Sequence, residues 1–569
     1  MPDNTKINKK YSTIYIRRFF ICAVPVLVAV YSIWYWNSNH EQLTDFYKGL
    51  NPNFYKAKVW GSLFFTSFIK SQGNWWCLAA MVASVIWAII VWKSKWPVIP
   101  KLVLKKNIVL VYTTIAFAGL VLSIIANTNT KYGTDEVFSA LNFASIPTFQ
   151  CISYYALPNN HILFNFINSI NILWQDDLVP SGRIISLICY VIVLCSSWYF
   201  LQKWIQNNWL RCLSLLLLAL QLPTWGFSGQ ARGYEMLLLL CLLSFITFWT
   251  YWFEDKKYLL SVHAFCNVAG MLTVPSYMYW WLGIIIAAFL LMIWEKRIDR
   301  AYIKATISSS LMTLLVFLPM LSFSGLAALT NNMYVKPGNS NAWEFIKDIY
   351  EQHYFMGLFD EWFCSGNFTV LIGLACFFCP LLLFFYPPIN GKYRALSIIF
   401  FSIIIAFASL SILMLRLPFN RNLIAHGYVT EMFILITLIS VLKLRNLRIA
   451  YGIILSIIIV FSAYTNYNRM PVKLYDFDVN SYYNKLNGYK TIFKPGCTVY
   501  LDDECFYWQY ILRTKYHNQN IQIMYNGPTY NKQDYCIMPT GLQPPSDSNL
   551  YKIVESTDEY GIFKKNQGQ

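Results

Sequence analysis

Residues 235–253 read EMLLLLCLLSFITFWTYWF. Glu235 is the only charged residue in this run, and about 20 apolar residues suffice to cross the hydrocarbon of a bilayer. Arg232 precedes the run, and Lys256 and Lys257 follow it. Working outward from it, comparable stretches recur from residue 18 to residue 467. They predict spans at about 18–36, 74–92, 107–126, 184–201, 209–226, 235–253, 258–274, 276–294, 305–323, 368–387, 395–415, 424–442 and 449–467. The expectation is an all-α polytopic membrane protein of about 13 transmembrane helices.

Composition agrees. The 569 residues are 56% hydrophobic and 13% charged, whereas a soluble domain carries about 25% charged residues. The net charge of +17 does not indicate nucleic-acid binding, because the cations sit in short clusters between apolar runs and form no basic stripe. If the basic N-terminus is cytoplasmic, the loops that should be inside are those of Lys93–Lys106, Lys203–Arg211, Lys256–Lys257, Lys296–Lys304, Lys392–Arg394 and Lys443–Arg448. All are short and basic, as the positive-inside rule requires. The first apolar run lacks a small-residue cleavage site and is expected to be a signal anchor. Cys376 and Cys379 have CxxC spacing but fall inside a predicted span, where cysteine behaves as a small hydrophobe.

The segments left outside are long: about 37–73, 127–183, 324–367 and the tail from 468. Chemistry is therefore expected there. The tail alternates apolar and polar residues, as in Thr498–Leu501 and Ile521–Met524, around a predicted helix at Glu504–Tyr516. A small α/β domain is expected. Among its Cys497, Cys505 and Cys536 one disulfide is an option in an oxidising compartment. The division is a two-helix membrane extension (1–106), a transmembrane core (107–467) and an extracytoplasmic α/β domain (468–569).

Four polar elements stand at predicted outer ends. Asp135 and Glu136 follow the third span, and a carboxylate there can take a proton from an attacking hydroxyl. An exposed acidic loop would look the same. Asn160 and His161 lie in Pro158–Asn165, where they can hydrogen-bond a phosphate or sugar, or simply cap a helix. Arg232 and Tyr234 lie in Gly229–Glu235; the guanidinium suits a phosphate, and a snorkelling anchor is the alternative. Arg421, in Leu417–Asn422, offers a second cation. Glu431 and His263 lie inside spans, which marks them for weighing as functional groups.

Taken in order, these elements resemble the GT-C superfamily. Asp-Glu comes after a span, Asn-His-x-Leu follows, Gly182–Ser186 enters the next span, and Gln230-Ala231-Arg232-Gly233-Tyr234 precedes a Leu-rich span. They resemble most the dolichyl-phosphate-mannose protein mannosyltransferases and the related bacterial aminoarabinose transferases. The likeness covers about 107–442. Gln230 stands where that family has Glu, and His161 is followed by Ile162 and Leu163 instead of two prolines.

The resemblance implies a glycosyltransferase that moves a sugar from a polyprenyl-phosphate carrier to a lipid, glycan or protein acceptor, with inversion. Asp135 would be the base, assisted by Glu136. Arg232 and Arg421 would bind phosphate, Asn160 and His161 would shape the sugar-phosphate pocket, and Tyr234 would pack on lipid or sugar. No cofactor is expected, with a divalent metal left open. The implied location is the inner membrane of a bacterial cell. A flippase or transporter for lipid-linked sugars, or a surface-polysaccharide polymerase or ligase, is the alternative. The candidate groups lie at the outer ends and not at the midplane, where transporters bind.

Overall fold

A computed structural model of the chain describes residues 4–51, 65–94, 106–130, 132–155, 160–171, 178–330, 341–363, 369–385, 391–443 and 448–473. In the tail it describes 492–502, 508, 510–512, 521–525, 533–541, 550–556 and 560–566.

Ten helices are long and apolar enough to cross a membrane, and three shorter apolar helices (Asn208–Ala219, Leu259–Thr273 and Gly373–Phe385) complete the set. Each of the 13 expected spans thus corresponds to a helix. The protein is a multi-pass membrane protein. The helix of the opening stretch, Tyr234–Glu254, is 89% buried over its apolar window, whereas Lys106–Asn129 is 11% buried. The first is the centre of the bundle and the second part of its lipid-facing wall.

One expected span is broken. The helix Asn208–Ala219 stops, and Leu222–Phe227 starts a separate short helix. Pro223 lacks the N–H needed to bond the Ala219 carbonyl and its ring would clash with it, and the chain leaves helical geometry at Gln221, with ψ 129°. The freed carbonyls find side chains instead. Tyr190 donates its hydroxyl to Ala219 O at 2.7 Å, and Asn466 donates Nδ2 to Leu220 O at 2.6 Å.

Polar contacts segregate to two ends of the bundle. At one end Lys203 and Lys256 pair with Glu254, Tyr251 bonds Asp299 and Trp252 bonds Glu295. At the other end lie Asp135, Glu136, Arg183, Arg232 and Arg421, with Asp360 and Arg469. These two sets are the expected inner and outer loops, so the alternation of span ends survives the broken helix.

The two N-terminal membrane helices, Asn4–Asn37 and Ser67–Lys93, pack together and against Arg300–Phe323. Tyr31 meets Ser322 Oγ at 2.5 Å, and Tyr35 donates to Ser322 O at 2.7 Å. The short helix His40–Leu50 reaches the outer loop, where Gln150 Nε2 donates to Tyr47 O at 2.8 Å. The expected boundary at 106 therefore divides the chain by sequence order more than by packing.

The tail forms a five-stranded sheet in the order β2-β1-β3-β5-β4. Strand β1 (Thr498–Leu501) runs parallel to β2 (Gln522–Tyr525) and β3 (Tyr535–Pro539). Strand β5 (Tyr560–Lys565) is antiparallel to β3 and to β4 (Tyr551–Ser556). Val499, Leu501, Ile537 and Ile562 are fully buried beneath it. Of the expected helix, Trp508 and Tyr510–Leu512 are described and helical. Cys497 and Cys536 are free thiols, and Cys505 lies outside the described residues. Tyr510 packs edge-on against Tyr132 of the outer loop, with ring centroids 6.0 Å apart. The tail domain therefore rests beside the Asp135–Glu136 turn.

Candidate active site

Residues 134–139 form a short helix whose first turn holds Asp135 and Glu136. Carboxylates are favoured there because the first N–H groups of a helix lack partners. Glu136 meets this need directly, accepting from Gly133 N at 2.8 Å. Its oxygens also accept Arg183 Nε at 3.1 Å, Arg183 Nη2 at 2.9 Å and the N–H of Ala231. Arg183 is in turn held by Asn127 Oδ1 at 2.6 Å and Thr130 O at 3.1 Å, and its guanidinium stacks 4.8 Å over the Tyr132 ring. Glu136 is 1% exposed. A carboxylate so enclosed fastens three segments together: the Asp-Glu turn, the helix Leu178–Leu201 and the turn at 228–233.

Asp135 faces the other way. Its side chain is 40% exposed, and Oδ2 lies 2.9 Å from Arg421 Nη1 and 3.5 Å from Arg232 Nη2. Arg232 is itself 2% exposed. It donates from Nη1 to Asp135 O at 3.0 Å and to Ser139 Oγ at 2.6 Å, and from Nη2 to the Tyr234 hydroxyl at 3.3 Å. Its Nε is buried with no partner among the described residues. Such an orphaned donor in a folded interior calls for a ligand or water. Both guanidiniums also lie against the Tyr234 ring, at 5.4 Å for Arg232 and 5.8 Å for Arg421.

His161 closes the far side. Its Nδ1 accepts the N–H of Gly233 at 2.9 Å, which leaves the ring proton on Nε2. The ring meets Tyr234 edge-on, with centroids 4.8 Å apart. Burial, with Arg232 and Arg421 nearby, holds this imidazole well below the usual histidine range. It is a neutral donor. A Cβ at Gly233 would come within 2.8 Å of His161 Nδ1, and one at Gly229 within 2.8 Å of Asn127 N. The two glycines of the Gly-Gln-Ala-Arg-Gly turn thus permit the close approach that places Arg232.

Five of the seven candidate side chains therefore converge: Asp135, His161, Arg232, Tyr234 and Arg421. Glu136 and Asn160 adjoin them but are committed elsewhere. Asn160 donates Nδ2 to Cys151 O at 3.0 Å and Tyr154 O at 2.8 Å, and accepts from Asn165 at 2.9 Å. It ties the outer-loop helices together, with both amide hydrogens committed to backbone carbonyls. Among the described residues no group of three or more His, Cys, Asp or Glu side chains is placed to hold a metal ion.

No protein-family model matches the sequence, and no curated protein matches it. Solved structures do. ArnT from Cupriavidus metallidurans, solved bound to undecaprenyl phosphate, superimposes with a TM-score of 0.50 at 10% identity, over 82% of this chain and 99% of that one. The chain has a GT-C fold. The arabinosyltransferase EmbB from Mycobacterium smegmatis (TM-score 0.40, 11% identity) is matched over 64% of this chain, which spans only 34% of that protein. The oligosaccharyltransferase AglB from Archaeoglobus fulgidus (TM-score 0.40, 10% identity) is matched over 75% of this chain and 69% of that one.

The sequence left Arg183 and Ser139 without a role. Arg183 lies 47 positions from Glu136, and Ser139 lies 93 from Arg232. No periodicity links such positions. The one available signal was Arg183 itself, a cation placed where an expected span begins. Two of the polar groups inside spans, His263 and Glu431, have side-chain or backbone partners. His263 Nδ1 meets Ser244 O at 3.0 Å and its Nε2 meets Asn267 at 3.2 Å, and Glu431 accepts from Gln221 at 2.9 Å.

Proposed function

We propose that the protein is a membrane glycosyltransferase that takes a sugar from a polyprenyl monophosphate and passes it to a lipid, glycan or protein hydroxyl. The transfer would take place at the extracytoplasmic face of the inner membrane, with the N-terminus in the cytoplasm. The observation that carries this is Asp135 held between two guanidiniums, 2.9 Å from Arg421 and 3.5 Å from Arg232. The GT-C fold shared with ArnT, which was solved with undecaprenyl phosphate, supports the carrier class.

The geometry suggests an order of events. With no phosphate present, both arginines spend donors on Asp135. A phosphate monoester offers more charge and the forked geometry guanidinium prefers, so it would draw Arg421 and Arg232 away and leave Oδ2 free to accept a proton. The acceptor hydroxyl would then attack the anomeric carbon from the face opposite the phosphate. The new C–O bond forms as the bond to the phosphate oxygen breaks, and the hydroxyl proton passes to Asp135. The two guanidiniums stabilise the departing phosphate, and neutral His161 can donate from Nε2 without adding charge. Glu136 would act through position: with Arg183 it fixes the backbone that carries Asp135.

The test is transfer of label from radiolabelled polyprenyl-phosphate sugars in membranes, comparing wild type with Asp135→Asn and Arg232→Ala at matched expression. Loss of product in both variants supports the base and phosphate roles. Equal transfer by the variants removes the site assignment. Label that crosses the bilayer without forming product would replace the enzyme by a transporter.

A further inference from the structure

Two of the loops at the inner end of the core hold acids against their cations. Lys203 and Lys256 meet Glu254, and Arg297 meets Glu295 and Asp299. The N-terminal pair of helices does not. Five cations lie in residues 4–18 and five more in 93–106, yet no Asp or Glu occurs in 4–40 or between Asp45 and Asp135. A groove of about 420 Å³ runs between the helices Asn4–Asn37 and Ser67–Lys93. Ile21, Pro25, Val85, Ala88, Ile89 and Trp92 line it, and Lys93 closes one end. Arg18 stands at that same end, its guanidinium carbon 5.3 Å from the Trp92 ring centroid.

We infer that this groove holds one anionic phospholipid, with an acyl chain along the apolar cleft and the headgroup on Arg18 and Lys93. From Val85 to Trp92 the wall extends about 10 Å at the helical rise of 1.5 Å per residue, enough for the upper part of a chain. Pro25 helps shape the cleft, because it lacks an N–H and so leaves the Ile21 carbonyl without its helical partner. Ala88 on the facing helix is small and leaves the cleft open. Neither Arg18 nor Lys93 has a carboxylate partner among the described residues. A headgroup phosphate would balance charge that the protein leaves open, at the interface where polybasic segments attract anionic lipid. The site is independent of the proposed transfer chemistry and gives the two N-terminal helices a function: lipid-specific anchoring of the helix Arg300–Phe323 on which they pack.

The experiment is native mass spectrometry of the detergent-purified full chain, delipidated and titrated with palmitoyl-oleoyl phosphatidylglycerol or with the phosphatidylcholine of the same chains. Wild type is expected to retain one phosphatidylglycerol in preference to phosphatidylcholine. The double variant Arg18→Ala/Lys93→Ala should lose roughly tenfold or more of that preference. Ala88→Phe, which fills the cleft and keeps the charges, should lower retention of both lipids. Lys257→Ala/Arg300→Ala removes equal charge elsewhere and should retain lipid as wild type does. Equal retention of the two lipids by wild type would overturn the inference, as would an equal loss in the Lys257/Arg300 control, because either would reduce the effect to bulk charge.

Discussion

The two ends of the helix bundle place charge beside lipid in opposite ways. At the inner end the pair Lys203–Glu254 keeps 17% and 25% of its side chains exposed, and water shares in solvating it. At the outer end Glu136, Arg183 and Arg232 are all sealed from water. An exposed pair contributes little to stability and is readily lost. A sealed one contributes no more when intact, but breaking it strands a charge in a medium that cannot solvate it. The outer end therefore depends on its polar geometry, and there Arg232 Nε is a buried donor with no partner among the described residues.

Within that end the adjacent carboxylates sharpen the contrast, and the largest expected effect separates them. Asp135→Asn keeps size and hydrogen bonding but cannot take a proton. Transfer from a polyprenyl-phosphate sugar should fall by about 10²–10⁴-fold, the usual contribution of a general base, with thermal stability unchanged. Glu136→Ala should do the reverse. It leaves the Arg183 charge buried and alone, costing about 3–5 kcal/mol, read as a lowered midpoint of thermal unfolding in detergent. The double variant Glu136→Met/Arg183→Leu should recover much of that loss. If Glu136→Ala folded normally and failed only in transfer, Glu136 would belong to the chemistry. Arg421→Ala should have a smaller effect than Asp135→Asn, because the guanidinium is 37% exposed. It should raise KM for the donor about tenfold with a lesser change in kcat, as loss of a ground-state phosphate contact does.

How much of this was legible in the sequence follows from the range of the interactions. The spans were legible because apolar length is a local property, and each of the 13 runs holds an apolar helix. The break at Pro223 was less so, since a proline within an apolar run permits either a kinked span or two pieces. Asp135, His161, Arg232, Tyr234 and Arg421 stood out as polar residues at outer span ends, and the fold brings them together. The different surroundings of Asp135 and Glu136 were hidden, because they are decided by Arg183 and Ala231, which arrive from a distant helix and a distant turn. The partners of Asn160 were hidden for the same reason: the carbonyls of Cys151 and Tyr154 that take its amide hydrogens are brought to it by the fold.

A pH experiment probes the sealed end with a smaller effect. His161 is held neutral in the fold, with its pKa well below the value of about 6.5 expected once the chain unfolds. A group of this kind gives its full stability above the unfolded pKa. That stability is lost as pH falls below about 6.5, because only the unfolded state gains the proton, and the slope approaches 1.4 kcal/mol per pH unit. His161→Asn can still accept the Gly233 N–H but does not titrate. The difference in unfolding midpoint between wild type and variant should be flat from pH 8 to 7 and should shift in favour of the variant between pH 6.5 and 5.5.

The smallest effect belongs to the inner end and bears most directly on the comparison. Glu254→Ala removes the acid shared by Lys203 and Lys256. If water solvates that end, both lysines simply turn outward, the cost stays within about 1 kcal/mol, and transfer activity stays within about twofold of wild type. Raising salt should shrink even that cost, since exposed pairs are screened over roughly 10 Å at 0.1 M ionic strength. The penalty of Glu136→Ala should not respond to salt, because ions cannot reach Arg183. A salt-insensitive loss at Glu254 as large as that at Glu136 would mean that the inner end is sealed too. Burial would then no longer distinguish the end that carries chemistry from the end that only anchors.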